Sequence, residues 1–405
     1  MKNGWQKKQL GELAELKGRI GWRGLTAKEY TESGPLFLSV HSLNYGDYVD
    51  FRDAFHISEE RYVESPEIML QKDDVLICKD GAGIGKVGIV GMLPDRTTIN
   101  SSLLLIRSGD SILPKFLYRC LSSPYFQKIV NSRLNGATTP HLYQRDITEF
   151  PVVLPPLPEQ RRIVGILDEA FEGIATAKTN AEKNLQNAHA LFESHLQSVF
   201  TQHGKGWVER KKPLADLCEL IVDCEHKTAP TLDEGIPSIR TPNIGKGILL
   251  LDGVYRVSEE TYRAWTRRAE PRAGDLILAR EAPAGNVAII PEKLRVCLGQ
   301  RTVLIRPDRD VFDSQFLALL LLQPQMQRKL LAHSRGATVQ HVNMKDIRAL
   351  DVGAVPSLSV QRIIVAKISS VSSEGDNLIA LYQSKIAALD ELKKSLLHQA
   401  FTGQL

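Results

Sequence analysis

The chain is written twice. At an offset of about 200 residues, Ile57-Ser-Glu-Glu-Arg-Tyr62 returns as Val257-Ser-Glu-Glu-Thr-Tyr262, Asp74-Val-Leu-Ile77 as Asp275-Leu-Ile-Leu278, and Leu104-Leu-Ile-Arg107 as Val303-Leu-Ile-Arg306. The clearest pair is Asn135-Gly-Ala-Thr-Thr-Pro-His-Leu142 with Arg335-Gly-Ala-Thr-Val-Gln-His-Val342, each followed by Asp-Ile at Asp146 and Asp346. Gly4-Trp5 opens one copy and Gly206-Trp207 the other; each closes through a Gln-Arg pair (Gln160, Gln361), a long helical pattern and Phe-Thr (Phe200, Phe401). Order kept over the whole length is not chance. A duplicated chain folds into two versions of one unit, so any motif found in one copy has to answer to the other.

Each copy holds two kinds of sequence. Short β-branched runs (Val87-Gly-Ile-Val90, Val152-Val-Leu154, Val287-Ala-Ile-Ile290), turn residues and short helical patterns such as Pro114 to Val130 predict a compact α/β domain. The closing segments differ. From Pro158 to about Phe200, apolar residues recur at Phe171, Ile174, Ala181, Leu185, Ala188, Phe192 and Val199, in steps of three and four or their sums. Leu378, Tyr382, Leu389, Leu392 and Leu396 repeat the pattern in the second copy. A helix of about 40 residues is roughly 60 Å long, and one such helix cannot bury its apolar stripe alone. Packing the two helices on each other is the economical arrangement; each folding back on its own domain is the alternative. Lys178, His195 and Lys385 interrupt the seam. The expected fold is α+β, a pseudo-twofold internal repeat: two similar globular α/β domains, residues 1–154 and 205–355, joined by two long antiparallel helices, residues 155–204 and 356–405.

Composition narrows the class without naming it. With 43% apolar and 24% charged residues, the chain is ordinary globular material. Its longest apolar run, Phe316 to Leu322, is far too short to span a bilayer, and the start is polar with no leader-like core, so no membrane role and a cytoplasmic location are expected. Five scattered cysteines argue against a disulfide framework. Cys218, Cys224 and His226 lie close together but match no common zinc spacing, and no metal site is expected. The net charge of +4 permits nucleic acid as a partner and decides little by itself.

The second copy disposes of the most tempting motif. Gly83, Gly85 and Gly88 have the G-x-G-x-x-G spacing of a dinucleotide-binding turn, yet only Gly85 is retained, as Gly285, and β-branched residues follow where a phosphate-binding helix would have to start. Lys86 is followed by Val87, with no Ser or Thr to hold magnesium, so the Walker pattern fails too. A β-hairpin with a glycine-rich tip is expected instead. His141 and His341, each five residues before an Asp, can be drawn as acid/base pairs. Both copies keep them and nothing nucleophilic accompanies them, which favours a structural or phosphate-contacting role and a chain with no catalytic residues.

The duplicated unit, the step Leu154-Pro-Pro-Leu-Pro-Glu-Gln-Arg-Arg-Ile-Val164 leading into a long helix, and the terminal Phe401-Thr-Gly-Gln-Leu405 resemble the specificity subunits of type I restriction-modification enzymes. The resemblance covers the whole chain. It implies that the globular parts are target-recognition domains, each reading one half of a split, asymmetric sequence in double-stranded DNA, with the helices as a ruler between them. It implies two modification subunits carrying S-adenosylmethionine as partners, and restriction subunits that use ATP and magnesium, with no cofactor on this chain. The second step departs from the pattern: Pro156-Leu-Pro-Glu-Gln160 becomes Ser357-Leu-Ser-Val-Gln361, which puts the partner contact there in doubt. A recognition subunit of the same build serving a different nuclease or methyltransferase system is the alternative.

If two diverged domains read different half-sites, a position kept in both cannot by itself encode either. Kept residues belong to folding, docking or phosphate contact, and diverged ones to base reading. The kept candidates for fold or backbone contacts are Gly136, Thr138, His141, Gly336, Thr338 and His341. The diverged segments are Leu16 to Gly24 against Leu220 to Thr228, and the hairpin tip, Lys79 to Lys86 against Arg280 to Asn286. They supply Arg19, Arg23, Lys79, Lys86, Lys227, Arg280 and Asn286, of the types that read purine edges.

Overall fold

The computed structural model describes residues 4–19, 25–134, 141–201, 206–332 and 340–405. Two compact units emerge, one made of residues 1–182 with 384–405 and the other of residues 183–383.

In the first unit the strand Val75–Cys78 is the centre of a four-stranded antiparallel sheet ordered Ala14–Lys17, Leu103–Ser108, Val75–Cys78, Val87–Ile89. All four residues of that strand are wholly buried. Alternation explains why it is apolar throughout: Val75 and Ile77 enter one core with Leu104 and Ile106, while Leu76 and Cys78 enter a second core with Leu103 and Leu105. A strand covered on both faces reads as a continuous hydrophobic run. The second core is closed by a three-stranded sheet, Phe55–Ile57, Tyr30–Leu38 and Thr97–Ile99, whose last pairing is parallel. Gln6–Gln9 pairs with Pro151–Leu154, bringing the start of the unit to the foot of its long helix.

The second unit repeats this strand for strand. Cys218–Asp223, Thr302–Pro307, Leu276–Ala279 and Val287–Ile289 form the four-stranded sheet; Arg256–Val257, Ile236–Ile239 and Cys297–Leu298 form the three-stranded one; Trp207–Glu209 pairs with Ala354–Pro356. Polar fixtures repeat as well. Arg107 grips Asp74 with two hydrogen bonds of 2.8 and 2.7 Å, and Arg306 grips Asp275 with two of 2.9 and 2.8 Å.

The long helices are Leu157–Thr201 and Leu358–Thr402, 45 residues each. The glutamine of each Gln-Arg pair fixes where its helix leaves the domain. Buried Gln160 donates to the carbonyls of Ser111 (3.0 Å) and Pro155 (2.8 Å) and accepts from the Leu113 amide (2.8 Å). Gln361 donates to Val311 and Pro356 and accepts from Asp313, all at 2.8 Å. The two packing alternatives are both realised. In the first unit Ile163, Leu167, Phe171 and Ile174 share a core with Leu397, Ala400 and Phe401 of the other helix and with the α/β domain. There the helices run in opposite directions: Arg162 donates to the carbonyl of Leu405 (2.9 Å) and Lys178 to both carboxylate oxygens of Asp390 (2.8 and 2.9 Å). In the second unit Leu196 and Phe200 share a core with Ile364, Val365 and Ile368.

Two local expectations are corrected. Pro114 to Val130 is two helices, Pro114–Leu121 and Pro124–Leu134: proline opens the second because it lacks an N–H to continue the first. Leu378 and Leu392 are exposed, since the second helix buries side chains near its two ends, where each enters a core.

Candidate nucleic-acid interface

The glycine-rich stretch is the tip of a hairpin. Val75 pairs with Ile89 and Ile77 with Val87, and a single 3-10 turn, Gly81–Gly83, crosses between the strands. A strand, not a helix, follows the glycines, which removes the helix N-terminus that a pyrophosphate needs. Gly85, the one retained glycine, sits at φ +84°, and Gln127 donates from Nε2 to its carbonyl (2.8 Å) and to that of Leu121 (3.0 Å). Gly285, at φ +85°, receives the same clamp from Gln327, at 2.9 Å, with the second bond to Leu321 at 2.7 Å.

Where the hairpin strand ends, the histidine segment zips against it. The carbonyl of Lys79 accepts from the Leu142 amide (2.9 Å), and that of Arg280 from the Val342 amide (2.8 Å). Each histidine thereby meets an acid from the hairpin: His141 Nδ1 is paired with Asp80, with the Tyr143 ring edge-on at 4.6 Å, and His341 Nδ1 lies 3.1 Å from Glu281. These carboxylates come from the tip, not from the Asp five residues on that the sequence spacing suggested. Arg280 donates from Nη2 to His341 Nε2 (2.9 Å), from Nε to the carbonyl of Val342 (3.0 Å) and from Nη1 to Asp223 (2.8 Å). An imidazole that accepts at Nε2 presents its proton from Nδ1, toward Glu281.

The remaining candidates divide by exposure. Lys86 is exposed, with Nζ 2.6 Å from Asn44 Oδ1, and Lys227 is exposed, its carbonyl accepting from Trp265 Nε1 (3.4 Å). Asn286 spends its amide on the carbonyl of Ile244 (2.9 Å). The Arg19 guanidinium is 5% exposed and 3.7 Å from Glu64; burial, with the neighbouring Arg61 charge, pushes its pKa down. Arg23, Gly136, Thr138, Gly336 and Thr338 lie outside the described residues. Arg280, Asn286 and Arg19 are thus engaged inside the fold, while Lys86 and Lys227 face solvent.

Sequence reasoning missed three participants: the acids Asp80 and Glu281, and Arg301, whose Nη1 lies 2.7 Å from Glu281 Oε2. A usable signal existed for the last. Arg301 immediately precedes the repeated Thr302-Val-Leu-Ile-Arg306 strand, where the first copy has Ser102, so it is a basic residue gained in one copy only. Among the described residues no three His, Cys, Asp or Glu side chains converge as a metal-ligand set, and no helix is long and apolar enough to cross a membrane.

The family model described as type I restriction modification DNA specificity domain matches residues 2–186 and again residues 205–388. Among curated proteins, the type I restriction enzyme EcoBI specificity subunit of Escherichia coli is 24% identical over 73% of this chain and 66% of its own length. The MjaVIII specificity subunit of Methanocaldococcus jannaschii is 21% identical over 85% of this chain and 81% of its own. The chain spans just under two thirds of the first relative. Among solved structures, a chain from a type I restriction-modification complex superposes with a TM-score of 0.77 at 20% identity, covering 100% of this chain and 99% of that one. The HsdS subunit of Thermoanaerobacter tengcongensis gives 0.65 at 20% identity, covering 100% and 98%.

Proposed function

The chain belongs to the type I restriction-modification specificity subunits, the non-catalytic recognition component, and on that premise we propose that each compact unit reads one half of a split DNA target while the chain seats the modification and restriction subunits. The observation that carries this reading is the internal comparison. The two units share strand order, the Asp-Arg grips, the glutamine helix fixtures and the glycine clamps, and they differ at the hairpin tip and the segment beside it. Two such units face two different half-sites, and a non-palindromic target follows. S-adenosylmethionine, ATP and magnesium belong to the partner subunits in this reading, and this chain binds none of them. The four-part division of the chain, residues 1–154, 155–204, 205–355 and 356–405, is kept in this reading as the functional one, with Gln160 and Gln361 fixing each helix just past its domain.

Within each domain we assign two roles. Lys79, Lys86 and Lys227, with Arg23 in the same diverged segment, touch DNA. Arg19, Arg280 and Asn286 shape the surface, and His141, His341, Thr138 and Thr338, kept in both copies, serve contacts to the DNA backbone. The test exchanges residues 1–154 for those of a relative with a different target and selects binding sites from a randomised duplex library, using the chain assembled with its modification subunits. One half of the selected sequence should change and the other persist. A change in both halves, or methylation by the chain without partners, would refute the reading. Failure to co-purify with a methyltransferase subunit would move it to another system of the same build.

A further inference from the structure

A cleft of about 490 Å³ opens in the second unit, lined by Thr241, Glu281, Ala282, Arg301 and His341. The positions equivalent by strand register and backbone hydrogen bonding in the first unit are Val40, Asp80, Gly81, Ser102 and His141. The acid and the histidine persist; the other three have changed. A shared scaffold with altered contacts is the signature expected of a surface that reads different bases in the two halves.

Arg301 is the cation presented there. Its side chain is 63% exposed, against 12% for Arg280, whose donors are used on Asp223, His341 and Val342. Its backbone takes φ +64°, a left-handed conformation that costs a non-glycine residue about 1 kcal/mol or more. The turn is tied on both sides: the Arg301 carbonyl accepts from the Arg280 amide (2.9 Å) and the Thr302 hydroxyl donates to Gly299 (2.8 Å). Glu281, 19% exposed, steers the guanidinium through Nη1 (2.7 Å) and is itself steered by His341 (3.1 Å). A guanidinium held by a carboxylate at one nitrogen keeps further N–H donors in its plane, the geometry that pairs with O6 and N7 of guanine.

We propose that Arg301 is a base-reading residue of the second recognition unit, contacting a guanine through the major groove, with Glu281 and His341 as its positioning residues. The proposal rests on the DNA-recognition reading and adds to it a specific base class and position.

The experiment uses the full chain assembled with its modification subunits, a randomised duplex library and sequencing of the bound fraction, for wild type, Arg301→Ala, Arg301→Lys and Glu281→Gln. Arg301→Ala should keep the whole selected sequence except one G·C pair in one half-site, where preference falls about ten- to a hundredfold. Arg301→Lys, which keeps the charge but not the planar fork, should lose most of the same preference, and Glu281→Gln should weaken it at that pair without moving the others. An unchanged sequence with Arg301→Ala, or affinity falling equally on every sequence as a phosphate contact would give, overturns the proposal. A wild-type complex that selects no two-part sequence overturns the recognition reading itself, a result distinct from either.

Discussion

Gly85 and Gly285 show how much a single retained residue can carry. Both need a left-handed backbone, and a Cβ added to Gly285 would lie 2.4 Å from Gln327 Oε1, the same side chain that clamps its carbonyl. Gly81 is also left-handed, at φ +79°, but its Cβ would meet open space. Gly285→Ala should therefore cost about 2–3 kcal/mol and Gly81→Ala only about 1, read as shifts in urea midpoint. Equal costs would mean that the glutamine clamp contributes nothing. The sequence made the glycine legible, because the second copy keeps it while discarding its neighbours. It did not make the clamp legible, since Gln127 and Gln327 look like ordinary helix-surface residues until the helix is packed against the tip. The same holds for Arg280: reading it as a free cation was natural, and only the fold reveals that its donors are used on Asp223, His341 and Val342.

Equivalent helices in the two copies have been put to different uses. In Pro114–Leu121, Arg119 bridges Asp47 (2.7 Å) and Asp168 (2.9 Å) and lies over the Phe171 ring at 4.6 Å, while the Tyr118 hydroxyl donates to Asp47 (2.8 Å). In Ser314–Leu322 the matching residues are Ala318 and Leu319, and Gly247 and Ser369 stand where the first copy has Asp47 and Asp168, so the charged side chains of the network are replaced by uncharged ones. Burial pulls the Asp47 carboxyl upward, but Arg119, the Tyr118 hydroxyl and Lys393 outweigh it and hold Asp47 below the usual carboxylate range. A carboxyl depressed on folding stabilises fully above its unfolded value, about 3.9, and that contribution fades as pH falls through the lower folded value. Asp47→Asn should cost about 1–2 kcal/mol at neutral pH, allowing for water at a side chain 33% exposed, and the gap from wild type should close below about pH 4. A gap independent of pH would assign the loss to packing. The hairpin strands and both helix spans were legible at this scale, from β-branched runs and period. The helix break at Pro124 and the network were not, because each depends on which surface the turn packs against.

Repeats in the sequence and units in space are not the same division. The first copy contains Leu196 and Phe200, yet these side chains belong to the core of the second unit, where Phe200 lies 5.4 Å from Phe316. The second copy contains Leu397, Ala400 and Phe401, yet these complete the core of the first, where Phe401 lies 5.2 Å from Phe116. Periodicity could announce two long helices but not this exchange, because a stripe of apolar residues does not say which core receives it. The exchange makes a crossed prediction. Phe401→Ala, in the last turn of the second long helix, should destabilise the first unit by about 3–4 kcal/mol, speed hydrogen exchange across Leu103–Ser108 and Pro114–Leu121, and weaken selection of the half-site proposed for residues 1–154. Phe200→Ala should do the same to Thr302–Pro307 and Ser314–Leu322 and to the other half-site. If each substitution instead weakened the domain nearest to it by copy, Phe401 the second and Phe200 the first, the cores would have been assigned wrongly. If each acts across the copies, every recognition domain depends on a helix end contributed by its twin, and neither half of the chain can evolve a new reading surface without preserving the other's helix.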